Sequence, residues 1–231
     1  MTPRPRTNRP RRFFIALAYA LLGAALPALH ACEGPAALVY LFTGKDKQPA
    51  LYELDPEAQT LIWIEDNEQL FTEPNAAIRI AAVAGAQLLA EGALDQPTLD
   101  NHALVTASDQ DLQGKDLPQI ARAYHAEQFI YARVAKVSAG ATASLARPQA
   151  LLEVRVIDAA TGATVFPPSN PGNAQLDQGY PLRVDMPAAY EPGDGRASRN
   201  RLEDKLAEEA GVHLARLFHT WSEPEVGEVF R

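Results

Sequence analysis

The chain holds a single cysteine, Cys32, in 231 residues. No internal disulfide can form, so the fold must be held by its core. The first 32 residues contain no Asp or Glu. No apolar run reaches the about 20 residues that a membrane-crossing helix needs. The longest, residues 13–26 (FFIALAYALLGAAL), is cut short by Pro27 and His30. There is no H-E-x-x-H or comparable metal spacing, no G-x-S-x-G elbow, no Gly-rich phosphate loop and no internal repeat. A triad assembled from distant positions leaves no such signature, but no motif points to one. The expectation is a protein that is not an enzyme and takes no metal or dissociable cofactor.

What is present at the amino terminus is specific. Arg4, Arg6, Arg9, Arg11 and Arg12 precede the apolar run, and small residues follow it. A basic region, an apolar stretch of that size and a small-residue exit read as a secretory signal peptide. The order Leu29-His30-Ala31-Cys32 resembles the lipobox of bacterial lipoproteins, with His30 where a small residue is usual. The resemblance implies cleavage before Cys32, with Leu29 and Ala31 as recognition residues. It also implies a diacylglycerol on the Cys32 sulfur and an acyl chain such as palmitate on the new amino group. Two or three chains anchor firmly where one holds only marginally. Glu33 is not the Asp that resembles an inner-membrane retention signal, so the expected location is the periplasmic side of the outer membrane. Arg11-Arg12-Phe13-Phe14 also resembles a twin-arginine export signal, which leaves the export route open.

Cleavage would remove five of the 21 basic residues and none of the 29 acidic ones, taking the net charge from −8 to −13. Phosphate binding needs clustered Lys and Arg, so nucleic acid is an unexpected partner. The roughly 200 residues that remain are enough for a self-sufficient core.

The expected organisation is a signal peptide over 1–31, a lipidated cysteine and tether over 32–58, one α/β domain over 59–221 and a tail over 222–231. Residues 60–65 (TLIWIE) are β-branched and aromatic, as in a strand. A helix is predicted over 75–92, with Ile80, Val83, Ala84, Gln87 and Leu88 at helical spacing and Gly92 at its stop. Residues 102–106 (HALVT) are a short strand candidate. Asp116 is a natural N-cap for a helix carrying Leu117, Ile120, Ala121 and Tyr124 at i, i+3, i+4 and i+7. Strands follow over 128–137 and 150–158. In the second, Leu152, Val154 and Val156 face one way, and Leu151, Glu153, Arg155 and Ile157 the other. After the turn at 158–162 (DAATG), residues 163–166 return as a strand. The Pro- and Gly-rich stretch 167–195 contains one further strand within 179–187. A final helix over 197–220 places Leu202, Leu206, Ala210, Leu214, Leu217, Phe218 and Trp221 on its stripe, opposite Glu203, Lys205 and Glu208.

Three pieces carry a family resemblance: LPQIARAYHAEQFIYARVAKV (117–137), a helix leading tightly into a strand; ALLEVRVIDAATGATVFP (150–167), a hairpin with an Asp-x-x-Thr-Gly turn; and a long closing helix. Together they resemble the envelope lipoproteins around CsgG, LpoB and the amino-terminal domain of TolB. His125-Ala126-Glu127 stands where that family has a glycine-led turn. The resemblance covers about residues 60–220. It implies a mixed, mostly antiparallel sheet of about five strands with helices packed on both faces, and it brings no catalytic residue.

Function is then expected to be binding of another envelope protein, as accessory or scaffold. The candidate partner-binding residues are Phe129, Tyr131 and Tyr180. Phe129 and Tyr131 would be core if both sheet faces are covered, and a partner surface otherwise. A CsgG-like pore subunit would need added amphipathic strand pairs of about ten residues, and none is evident; an exported hydrolase has no motif. His102, His125, His213 and His219 read as surface or helix-end residues. The acidic stretch 65–68 (EDNE), and Asp109 with Asp111, read as solvated loops because the spacing of a calcium loop is missing.

Overall fold

The computed structural model describes residues 47–100, 115–138, 148–168, 178–186 and 196–222. The candidate strand over 102–106, Asp109, Asp111 and the lipobox residues Leu29, Ala31 and Cys32 lie outside that set. The chain divides into a unit over Gln48–Trp221, which holds the main sheet and the helices, and a second unit made of Met1–Lys47 with Ser222–Arg231.

The elements run β1 (Lys47–Gln48), β2 (Thr60–Glu65), α1 (Ala76–Ala90), α2 (Leu117–Ala123), β3 (Gln128–Ser138), β4 (Gln149–Asp158), β5 (Thr164–Phe166), β6 (Tyr180–Asp185), α3 (Arg196–Arg216) and β7 (Trp221–Ser222). Five of the strands form one mixed sheet in the order β2-β3-β4-β5, with β6 pairing β4 as well. β2 and β3 are parallel, and the other pairings are antiparallel. β5 lies against Val156 and Ile157 of β4, and β6 against residues 149–154. Two short strands therefore share one edge of β4.

Alternation along the strands gives the sheet two apolar faces. Ile62, Ile64, Ile130, Ala132, Leu152, Val154 and Val184 are buried on one side, under Ile80, Ala84 and Leu88 of α1 and Leu202, Leu206, Ala210 and Leu214 of α3. Leu61, Trp63, Phe129, Tyr131 and Ile157 are buried on the other, under Ile120 and Ala121 of α2. Each fully buried side chain of this kind contributes about 1.5–3 kcal/mol relative to exposure, so both layers matter. Helices thus cover both faces, as the family resemblance implies.

α1 and α3 cross closely at a glycine. A Cβ built on Gly211 would sit 2.7 Å from the Ile80 carbonyl oxygen and 2.7 Å from Val83 Cβ. No side chain fits there without parting the helices. Arg79 of α1 also reaches Asp204 (3.2 Å) and Glu208 (3.5 Å) of α3 at the solvent side of the crossing.

Two local signals act as the sequence predicts. Asp116 caps α2 by accepting from Gln119 N–H (2.8 Å), and the Gln119 side chain accepts in return from Asp116 N–H (3.3 Å), a reciprocal capping box. In the Asp-x-x-Thr-Gly turn, Asp158 Oδ1 accepts from the N–H of Ala160 (2.8 Å) and Thr161 (2.9 Å). Gly162 has φ +73° there, a conformation glycine adopts without penalty.

Three features differ from the sequence expectation. Residues 51–58, placed in the tether, carry buried Leu54 and Ala58, and the N–H groups of Leu51 and Tyr52 donate to Leu217 O. The closing helix ends at Arg216 rather than near 220, yet Leu217 and Phe218 remain buried past its end. Glu203, expected opposite the apolar stripe, is 1% exposed. Its carboxylate accepts from the N–H groups of Thr72 (2.7 Å) and Glu73 (3.0 Å) and from the Thr72 hydroxyl. It is buried because it ties the turn ahead of α1 to α3.

Candidate functional site

β3 has 11 residues and β4 has 10, whereas α2 has seven. A helix rises about 1.5 Å per residue and a strand about 3.3 Å, so α2 covers only part of the face it packs on. Under α2 lie three aromatic rings. Trp63 stacks on Phe129 with centroids 6.2 Å apart, and Tyr131 meets Trp63 at 5.5 Å. Past α2 the same parity of residues turns polar: Glu65 on β2, Arg133 opposite it on β3, then Glu153 and Arg155 on β4.

Three of them, Glu65, Arg133 and Arg155, line a cavity of about 410 Å³ together with Leu117, Tyr131 and Gln178. The Tyr131 hydroxyl donates to Glu65 Oε2. Burial pushes the Tyr131 phenol well above its ordinary range, and the bond to Glu65 pushes it further. It therefore stays a protonated donor. Arg133 donates to Glu153 through Nε (3.0 Å) and Nη2 (2.5 Å), and Arg155 Nε donates to Gln178 O (3.2 Å). Two carboxylates and two guanidiniums share the surface, so it offers matched donors and acceptors rather than a field of one sign.

The candidate partner residues fall in different places. Phe129 is fully buried and Tyr131 is 8% exposed, so the two-sided core accounts for both rings. Of the three candidate residues, only Tyr131 lines the cavity. Tyr180 is half-buried in a second aromatic group, 5.4 Å from Phe166, which in turn meets Tyr52 and Phe218. The three do not form one surface.

Of the histidines, His125 is exposed just past α2, and His219 is buried with Nδ1 3.0 Å from Thr220 O. His213 is held below its ordinary pKa, first by burial and then by Arg216. In the acidic loop, the Asp66 carboxylate accepts from the N–H of Leu70 (2.8 Å) and Phe71 (3.0 Å), which makes it a loop organiser. Among the described residues, no three His, Cys, Asp or Glu side chains cluster as a metal site would need.

Sequence patterning singled out the aromatic end of this face and passed over its charged end. The signal was the parity shared by Glu65, Arg133, Glu153 and Arg155, which needs the strand register to be read.

No family model matches the chain, and no curated protein matches it. Among solved structures, it is similar to the PelC dodecamer from Paraburkholderia phytofirmans, with 14% identity over 76% of this chain and 97% of that one and a TM-score of 0.40. It is also similar to lipoprotein GNA1162 from Neisseria meningitidis, with 10% identity over 64% and 91% and a TM-score of 0.35. A third is the hypothetical protein CT253 from Chlamydia trachomatis, with 16% identity over 68% and 94% and a TM-score of 0.32. The family around CsgG, LpoB and TolB does not figure among these three names.

Proposed function

We propose that this chain is a bacterial envelope lipoprotein, anchored through Cys32 on the periplasmic side of the outer membrane, that acts without catalysis by binding another envelope protein. The observation that carries the reading is the order of the amino terminus: five arginines, 14 apolar residues over 13–26, then Leu29-His30-Ala31-Cys32. A secretory signal followed by a lone cysteine in a lipobox-like setting has a simple physical purpose, attachment by acyl chains.

The polar half-face past α2 supports the binding part. Its matched charges suit a partner recognised by ion pairs and hydrogen bonds, which give specificity more than raw affinity. The resemblance to the CsgG, LpoB and TolB group fits the same role.

Two experiments test the reading. Cys32→Ser should shift the protein from the membrane to the soluble fraction, and unchanged membrane association would contradict the anchor. Mild crosslinking of the wild-type chain in the envelope should capture a stoichiometric partner that Arg155→Glu loses. Recovery of no partner would count against the binding role, and ring-shaped particles in detergent would favour a pore subunit instead.

A further inference from the structure

β6 is an edge strand. It pairs with β4 along residues 149–154, and among the described residues nothing pairs with its other side. Parity shows which groups face outward. Met186 N–H donates inward, to Pro148 O at 3.0 Å, and Pro181, which has no N–H, suits an outward position. The odd residues 181, 183 and 185 therefore turn their backbone groups away from β4. Among the described residues, Arg183 and Asp185 thus turn two N–H donors and two carbonyl acceptors to the edge with no strand opposite them.

The same two residues are the exposed charges of the strand, 66% and 44% accessible, and Arg183 Nε lies 2.9 Å from Asp185 Oδ2 within the one strand. Edges guarded by charges of one sign repel a second copy. This edge does not. If two copies of β6 align antiparallel about Val184, each Arg183 falls opposite an Asp185, twice over. The sites that exchange backbone hydrogen bonds are then the sites that exchange charges.

We propose that β6 is a homodimerisation edge, on which a second copy of this chain adds its own β6 antiparallel, Arg183 of each copy facing Asp185 of the other. Pairing of exposed edges is an established recognition mode. Here the occupant is set by self-complementary charge. Pro181, with no N–H to give, ends the ladder on one side and holds it short. The inference does not depend on the anchor or on the polar cavity.

The test uses the full chain purified in detergent from whichever cell fraction holds it. Sedimentation should show a concentration-dependent dimer. Arg183→Asp places like charges opposite one another and should weaken dimerisation by at least about tenfold. The double variant Arg183→Asp with Asp185→Arg should restore it. Separate chains carrying Arg183→Cys and Asp185→Cys should form an intermolecular disulfide when mixed and not when alone. Directly opposed Cα atoms in a hydrogen-bonded pair lie about 5.5 Å apart, within disulfide range. A far-ultraviolet circular dichroism spectrum of Arg183→Asp that matches wild type confirms that the fold is intact. A monomer at every concentration overturns the proposal, as does a dimer indifferent to Arg183→Asp.

Discussion

His125 sits at φ +58°, directly after α2, where the resembled family has a glycine. The geometry there is a Schellman ending: His125 N–H donates to Arg122 O and Ala126 N–H to Ala121 O. A non-glycine residue in this conformation is strained by about 1 kcal/mol, so His125→Gly should raise stability by up to about 1 kcal/mol in denaturant unfolding. Glu203 carries the opposite expectation. Glu203→Ala strands the Thr72 and Glu73 donors and should cost about 1–3 kcal/mol, measured the same way. Acid sensitivity has a defined sign at two residues. Asp158 is lowered below its ordinary value, chiefly by the Thr161 backbone N–H. Its contribution is present above the unfolded aspartate pKa of about 3.9 and is lost as pH falls through the lowered one. His213, half-buried and held below its ordinary pKa chiefly by desolvation, favours unfolding once pH drops below about 6.5. Asp158→Asn should therefore lose less stability than wild type between pH 7 and about pH 3, and an equal loss would contradict the assigned role.

At the scale of elements, the α1–α3 crossing is the most sensitive joint. Gly211→Val should cost about 1–3 kcal/mol or more because backbone and Val83 occupy the space. Leu206→Ala, in the layer between α3 and the sheet, should cost about 2–5 kcal/mol. Strand bounds were legible in the sequence where alternation and turn residues agree. Residues 60–65 match β2, and the second long strand and its Asp-x-x-Thr-Gly turn fall where patterning puts them. The long closing helix was read less well. Its periodicity runs on through Leu217 and Phe218, which are buried outside the helix, so spacing alone overshoots the end. Glu203 escaped because an acidic residue on a helix reads as solvent-facing. Only the turn at Thr72, 131 positions away in sequence, explains its burial.

For the whole molecule, the candidate site shows the limit of sequence patterning. Phe129 and Tyr131 are aromatic and alternate, so they stand out, yet they form the layer under α2. The accessible part of that face belongs to Glu65, Arg133 and Arg155, ordinary charged residues individually, brought together only by the register of three strands. The proposed anchor is the reverse case: it rests on ten residues of sequence that lie outside the described structure. The account therefore joins two independent proposals, a lipid attachment at Cys32 and partner recognition by the polar face. The attachment is tested most directly by mass spectrometry of the amino-terminal peptide from protein extracted with membranes. The account predicts that this peptide begins at Cys32 and carries the mass of a diacylglycerol and an acyl chain. A peptide beginning elsewhere, or a Cys32 recovered as a free thiol, would contradict it.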